Sequence, residues 1–306
     1  IGSNAIRLLI ANTYIENKNL TYKKVSLIRL PIRLGNDVFT KGEISKNNVN
    51  NLIKSAEAFK SIMKIHNVSR YIAVATSAMR EAQNAKQTID KIYKKTKLKI
   101  QIISGDLEAS YILHLFKNNL NIKNKNYLFI DVGGGSTEIN LLSNGKIIAS
   151  DSFKVGTVRL INNFDNNILN DLSDWINRKT MKIKNIIVIG TGGNANKILK
   201  ILNKNPYEII KSNYLLDLFK KVKNYTINER IIKLKLNTDR ADVIVPALEI
   251  YTDALKCSNS SKFMVPRIGL ADALILSLYK ANVKGNNLDW KFKHIFKLFN
   301  LGVFFF

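Results

Sequence analysis

One cysteine in 306 residues, Cys257, leaves no partner for an intrachain disulfide and too few thiolates for a Cys-rich metal site. That scarcity fits a reducing compartment, and the location expected from it is cytoplasmic. No signal-peptide pattern and no apolar run of membrane-spanning length is found. The tail "FKHIFKLFNLGVFFF" is apolar but interrupted by Lys and too short to span a bilayer; it reads as a helix with a packed end, a monotopic membrane contact being the alternative. Acidic residues are also few. The chain has 23 Asp and Glu against 48 Lys and Arg, a net charge of +25, and a field of that sign concentrates polyanionic ligands. The plain alternative is compositional bias, because the Lys residues are scattered with Asn over nearly all polar stretches. No nucleic-acid recognition motif and no basic patch interleaved with aromatics stands out, which argues against specific nucleic-acid binding.

What is present is a globular composition, 46% hydrophobic, and length enough for two domains. In the first, residues 1–120, "NAIRLLIANTY" and "YKKVSLIRLPIRL" read as paired strands and "SKNNVNNLIKSAEAFKSIMKIHN" as a helix headed by Ser. "YIAVAT" follows as a strand, "AMREAQNAKQTIDKIYKKT" as one polar helix, "LKIQII" as a strand, and an amphipathic helix starts at Gly105. In the second, residues 121–306, "YLFIDVGGGSTEINLLSNGKIIASDSFKVG" gives three strands with "SNG" as a hairpin turn; the helix "NILNDLSDWINRK" and the strand "NIIVIGTGG" come next. From there the chain reads as mainly helical, with a short strand at "SKFMVPRIG" and a break or kink near Pro246; whether the terminal helix packs back on the first domain stays open. Laying "IGSNAIRLLIA" over "DVGGGSTEINLL" gives a repeat, so two similar α/β halves are expected to face each other across a cleft.

Three glycine loops offer chemistry. Gly133, Gly134 and Gly135 permit close approach of backbone to a ligand, and Ser136 and Thr137 add hydroxyls, the composition of a phosphate nest. Asp131 and Glu138 flank that loop. Carboxylates repel bare phosphate, so their presence makes most sense with Mg²⁺ bridging them to it. Gly2, Ser3 and Asn4 form an opposing loop, and Gly192 and Gly193 of "IGTGGN" precede a helix whose free N–H groups would favour an anion.

Taken in order, "IGSNAIRLLI", "VATSAMREAQN", "IISGDLEA", "IDVGGGSTE", "KVGTVRL", "IGTGGN", "RADVIVPAL" and "RIGLADAL" resemble the exopolyphosphatase and guanosine pentaphosphate phosphatase family. The length is similar to that of its short, two-domain members. The resemblance implies two tandem ribonuclease-H-like domains of the actin-like ATPase type and a Mg²⁺-assisted phosphoanhydride hydrolase. It implies Glu108 as the general base for water, Arg80 as the arginine that contacts phosphoryl oxygens, and Arg159 as a second basic position that either binds substrate or holds the loop. The family pattern has two acids where this chain has Leu107 and Glu108, and it has an Asp before the first Gly, which is expected to precede Ile1 in the full chain. The implied partners are inorganic polyphosphate and guanosine pentaphosphate, with the charge leaning toward polyphosphate. A related kinase and a sensor without turnover are the rival readings, and a homodimer stays open.

Overall fold

The computed structural model describes residues 1–16, 19–119, 125–162 and 166–282. It divides into two compact units, one made of Ile1–Ser104 with the segment from Leu270, the other of Gly105–Gly269.

The first unit opens with an antiparallel pair, β1 (Ile6–Glu16) and β2 (Asn19–Leu30). Helices α1 (Leu34–Lys41) and α2 (Lys46–Ile65) follow, then β3 (Val74–Ala75), α3 (Ser77–Glu81), α4 (Ala85–Thr96) and β4 (Gln101–Ile102), with β3 and β4 paired in parallel. Helix α2 shows why this stretch is helical. Val49, Leu52, Ala56, Phe59 and Met63 recur at three- and four-residue spacing and are all buried, and Ser45 caps the start by accepting from Asn48 N at 3.2 Å. Asp37 of α1 supports the same cap. Burial pushes its carboxyl up, but hydrogen bonds from Ser45 and Asn48 outweigh this and leave it below the usual range.

The expected single polar helix from residue 78 is two helices. Asn84 accepts from Ile44 N at 2.9 Å and donates to Ile44 O at 2.8 Å, while Gln83 N donates to Gly42 O, so this point of the chain is tied to the α1–α2 turn and cannot continue a helix. The strand expected over 22–34 also stops at Leu30; residues 31–33 form a connection without regular structure, and α1 starts at Leu34.

The second unit begins with α5 (Gly105–Asn119) and continues through β5 (Asn126–Val132), β6 (Thr137–Ser143), β7 (Lys146–Phe153), α6 (Thr157–Asn162), α7 (Asn166–Thr180), β8 (Ile186–Thr191) and α8 (Gly192–Ile201). It ends with β9 (Ile209–Lys211), α9 (Ser212–Lys223), α10 (Ile227–Leu234), α11 (Thr238–Ala241), α12 (Ile244–Cys257) and β10 (Lys262–Met264). Its six strands form one sheet in the order β7-β6-β5-β8-β10-β9, with β5, β8 and β10 parallel and the rest antiparallel to their neighbours. Alternation divides β5 between two layers. Leu128, Ile130 and Val132 join the core that α7, α9 and α12 contribute to, whereas Tyr127 and Phe129 pack edge-on against Phe116 of α5. That contact, with the packing of α5 on β6 and β7, puts α5 in the second unit, although the sequence reading ended the first domain beyond it at residue 120. The break near Pro246 falls before it: α11 ends at Ala241 and Pro246 lies in the first turn of α12, where its missing N–H is not needed.

The last described element, α13 (Leu270–Asn282), belongs to the first unit and packs on β1 and β2. Buried Asp272 accepts from Tyr22 Oη at 2.6 Å and pairs with Lys24 Nζ at 2.5 Å. The expected terminal helix over 292–306 lies outside the described residues. No helix among the described residues is long and apolar enough to cross a membrane.

Candidate active site

Asp131 lies in the last turn of pleat of β5, and Glu138 stands directly opposite it on β6. Directly opposed residues of an antiparallel pair project from the same face, so both carboxylates share the α5 face with Tyr127 and Phe129. Glu138 is 3% exposed, and its Oε1 accepts from Ser136 Oγ at 2.6 Å and from Ser152 Oγ at 3.3 Å. Helix α5 starts against this pair, since a Cβ built on Gly105 would sit 3.4 Å from Glu138 Oε1. Glu108 is three residues further along, in the first turn of α5, and helical spacing puts it on the same side of the helix as Gly105.

Between β5 and β6 the hydrogen bonding explains the three glycines. The carbonyl of Gly133 accepts from Thr157 N at 3.0 Å, and that of Gly134 from Val158 N at 2.8 Å and Arg159 N at 3.1 Å. The carbonyl of Gly135 accepts from Arg159 Nε at 3.0 Å. A trans peptide points its C=O and its N–H in opposite directions. Three successive carbonyls turned onto α6 therefore aim the N–H groups of Gly134, Gly135 and Ser136 the other way, as a row of donors suited to an anion. Thr137 locks the exit of the loop by donating from Oγ1 to Val155 O at 2.6 Å. The clamp depends on Gly156, where a Cβ would lie 2.4 Å from Gly135 N and 2.5 Å from Gly134 C and O.

The third loop meets the first through Asp131. Thr191 pairs with Asp131 in parallel register, and α8 starts at Gly192, earlier than expected. Gly192 has φ +82°, and a Cβ on it would be 2.6 Å from Asp131 Oδ1, so the carboxylate rests on the first turn of α8, where the helix dipole favours negative charge. Gly193 is the next residue of that turn. Beneath it, buried Tyr251 donates to Thr191 O at 3.0 Å; burial, with the charge of Asp131 adding to it, pushes its phenol well above the ordinary value.

Asp131, Glu138, Gly133 to Thr137, Arg159, Gly192 and Gly193 thus gather in the second unit at the carboxyl ends of β5 and β8, the customary ligand end of such sheets, and Glu108 lies in the first turn of the helix that starts beside Glu138. Of the two roles open to Arg159, the bond to Gly135 O is that of a loop clamp. In the first unit, Ser3 Oγ accepts from Ala78 N at 3.2 Å and keeps its own proton to donate, while Ser3 O and Asn4 O hold Gly35 N and Arg33 N. Gly2 N donates to Ala5 O, and Arg80 Nη1 donates to Ile103 O at 2.8 Å, which fixes the guanidinium beside the end of β4.

Sequence reasoning missed Gly156, Ser152 and Tyr251. Gly156 sits inside the quoted "KVGTVRL" and was the one with a local signal; Ser152 and Tyr251 act across chain distances that no spacing encodes. Among the described residues no group of three or more His, Cys, Asp and Glu is arranged to hold a metal ion. The pair Asp131 and Glu138 nevertheless offers hard oxygen donors next to an anion site, and this suits Mg²⁺, which takes one or two carboxylates and completes its shell with water and phosphate oxygens.

The chain is 30% identical over 285 residues to the bifunctional 3-dehydroquinate synthase/phosphatase of Fusobacterium nucleatum, covering 83% of this chain and 42% of that one. It is 25% identical over 140 residues to exopolyphosphatase 1 of Mycobacterium tuberculosis, covering 46% and 40%. It spans only about two fifths of the length of these curated relatives. The crystal structure of an exopolyphosphatase from Cytophaga hutchinsonii shares the fold, with a TM-score of 0.78 at 23% identity over 89% of this chain and 94% of that one. Residues 15–281 match the Ppx/GppA phosphatase family, a stretch that takes in the clamped glycine loop and both of its carboxylates, and the chain belongs to that family.

Proposed function

We propose that the protein hydrolyses the terminal phosphoanhydride of inorganic polyphosphate and releases orthophosphate. The observation that supports this most is the row of N–H groups at Gly134, Gly135 and Ser136, set beside the carboxylates of Asp131 and Glu138 by the clamp on Gly133, Gly134 and Gly135. Such a row neutralises charge on phosphoryl oxygens without reorganising during the reaction. Glu108 orients a water and takes its proton as the water oxygen attacks the terminal phosphorus; the bond from phosphorus to the bridging oxygen breaks in line, and the shortened chain leaves with the electron pair. No covalent enzyme intermediate is required. Asp131 and Glu138 would hold Mg²⁺, which supplies further charge neutralisation at the phosphoryl oxygens. Arg80, with its forked donors, and Gly2, Ser3 and Asn4 are proposed as further phosphate-binding residues.

Guanosine pentaphosphate presents the same terminal linkage and is the second reading. The experiment is phosphate release with Mg²⁺ on long-chain polyphosphate and on guanosine pentaphosphate in parallel, each repeated with Glu108→Gln. A fall of about 10²–10⁴ in kcat with binding retained is expected of a lost general base. Faster release from guanosine pentaphosphate would reassign the substrate, and tight binding of both without release would make the protein a sensor.

A further inference from the structure

Ser152 stands on the edge strand of the sheet and is exposed, yet its hydroxyl turns onto a buried carboxylate. It is directly opposite Glu138 in the β6–β7 pair, and Glu138 Oε1 accepts two hydroxyls, one from Ser136 in the glycine loop at 2.6 Å and one from Ser152 at 3.3 Å. The last torsion of a glutamate is broad and soft. Two donors on one oxygen fix how the carboxylate is turned, which is how groups behind a metal ligand orient it. Ser152 has a second neighbour. Helix α5 starts at Gly105, where a Cβ would lie 2.8 Å from Ser152 Oγ, 3.3 Å from Ser152 Cβ and 3.4 Å from Glu138 Oε1. Glycine is a poor helix former, and the φ of Gly105 is not positive, so neither the helix nor the backbone conformation calls for it. What calls for it is the close approach of α5 to Ser152, one turn before Glu108. Further from the glycine loop the same strand repeats the bond with a neutral partner, Ser150 Oγ donating to Asn140 Oδ1 at 2.9 Å.

We propose that Ser152 is a positioning residue: it fixes the Glu138 carboxylate for a divalent cation and seats the first turn of α5 against it, so that the cation ligand and Glu108 are held at one spacing. The role of Glu108 rests on the hydrolase reading above; the hold on the cation ligand does not. A hydroxyl fits this place because it is small enough to lie under Gly105 and still donates to Glu138. Ser150 makes the matched bond on the same strand to an amide instead of a carboxylate, and is the natural control.

The test measures binding of Mn²⁺, a paramagnetic substitute for Mg²⁺, to the full chain by electron paramagnetic resonance without substrate, and then phosphate release from long-chain polyphosphate with Mg²⁺. Ser152→Ala is expected to raise the Mn²⁺ Kd about tenfold and to lower kcat about tenfold, with KM within about twofold. Ser152→Thr keeps a hydroxyl on the same carbon and suits a strand, so it should bring both back to within about threefold of the parent. Ser150→Ala should leave Mn²⁺ affinity and kcat at the parent values, while its Tm reports what the loss of one hydroxyl bond costs this strand. Gly105→Ala should weaken Mn²⁺ binding as Ser152→Ala does, and the two together should cost little more than either alone, since the methyl and the hydroxyl compete for the same space. An unchanged Mn²⁺ Kd in Ser152→Ala, equal weakening by Ser150→Ala, fully additive losses in the Gly105 and Ser152 pair, or no Mn²⁺ binding by the parent would each overturn the proposal. The expected Mn²⁺ pattern without phosphate release from any substrate by the parent would keep Ser152 in its role toward Glu138 and remove the hydrolase reading.

Discussion

Residue by residue, the site owes as much to what is missing from a side chain as to what is there. Gly156→Ala would drive a methyl into Gly134 and Gly135, both of them backbone, so the loop must shift. The expected result is a loss of about 2 kcal/mol or more in urea unfolding, together with loss of phosphate release, because the row of N–H groups moves with the loop. Tyr251 yields a prediction for alkaline pH. Its folded pKa is raised by burial and then by Asp131, so its contribution is fully present below the unfolded value of 10 and is lost as pH rises beyond it, when the unfolded chain ionises and the folded one resists. Tyr251→Phe should therefore flatten the fall in Tm between about pH 10 and 12, at a cost near 1 kcal/mol at neutral pH for the bond to Thr191. The carboxylates flanking the glycines were legible because a strand end, a turn and a strand start fix where they stand. Ser152 was not legible, since its hold on Glu138 depends on β7 pairing with β6.

Single elements were readable wherever periodicity and caps agreed, as in α2, and misread where a tertiary bond interrupted a good pattern. The residues between α3 and α4 have no strong breaker, and the paired bonds of Asn84 to Ile44, with that of Gln83 to Gly42, explain the gap. Asn84→Ala removes both bonds and leaves two partly buried backbone groups unpaired, so a loss of about 2 kcal/mol in chemical denaturation is expected. Stabilisation by the variant instead would mean that a continuous helix is the better local structure. The short strand β9 illustrates a further limit, whereas β10 was read. Three residues carry too little alternation to declare a strand, and the pairing of β9 with β10 is what defines it.

For the molecule as a whole, the α/β class and the order of elements around the glycine loop were visible in the sequence, while the division into units was not. No local signal tells α5 which sheet to cover or tells α13 to join the strands at the other end of the chain. Net charge belongs to this scale as well. Release of phosphate from long chains should slow as salt rises from about 0.05 to 0.5 M, with the effect in KM rather than kcat, because screening shortens the reach of the positive field. Asp272→Asn should weaken the attachment of α13 to β1 and β2, read as faster amide exchange in those strands with that in β5 and β8 unchanged.

The return of α13 to the first unit also sets a timetable. A ribosome making this chain emits Ile1–Ser104 before the second unit, yet β1 and β2 lack the helix that covers them until Leu270 and its successors have been made. At roughly 5–20 residues per second, the intervening segment takes about 8–30 s to synthesise. The second unit, continuous from Gly105 to Gly269, can finish first, so maturation runs against the order of translation and the nascent β1–β2 hairpin is the part of the protein that a chaperone would need to shelter.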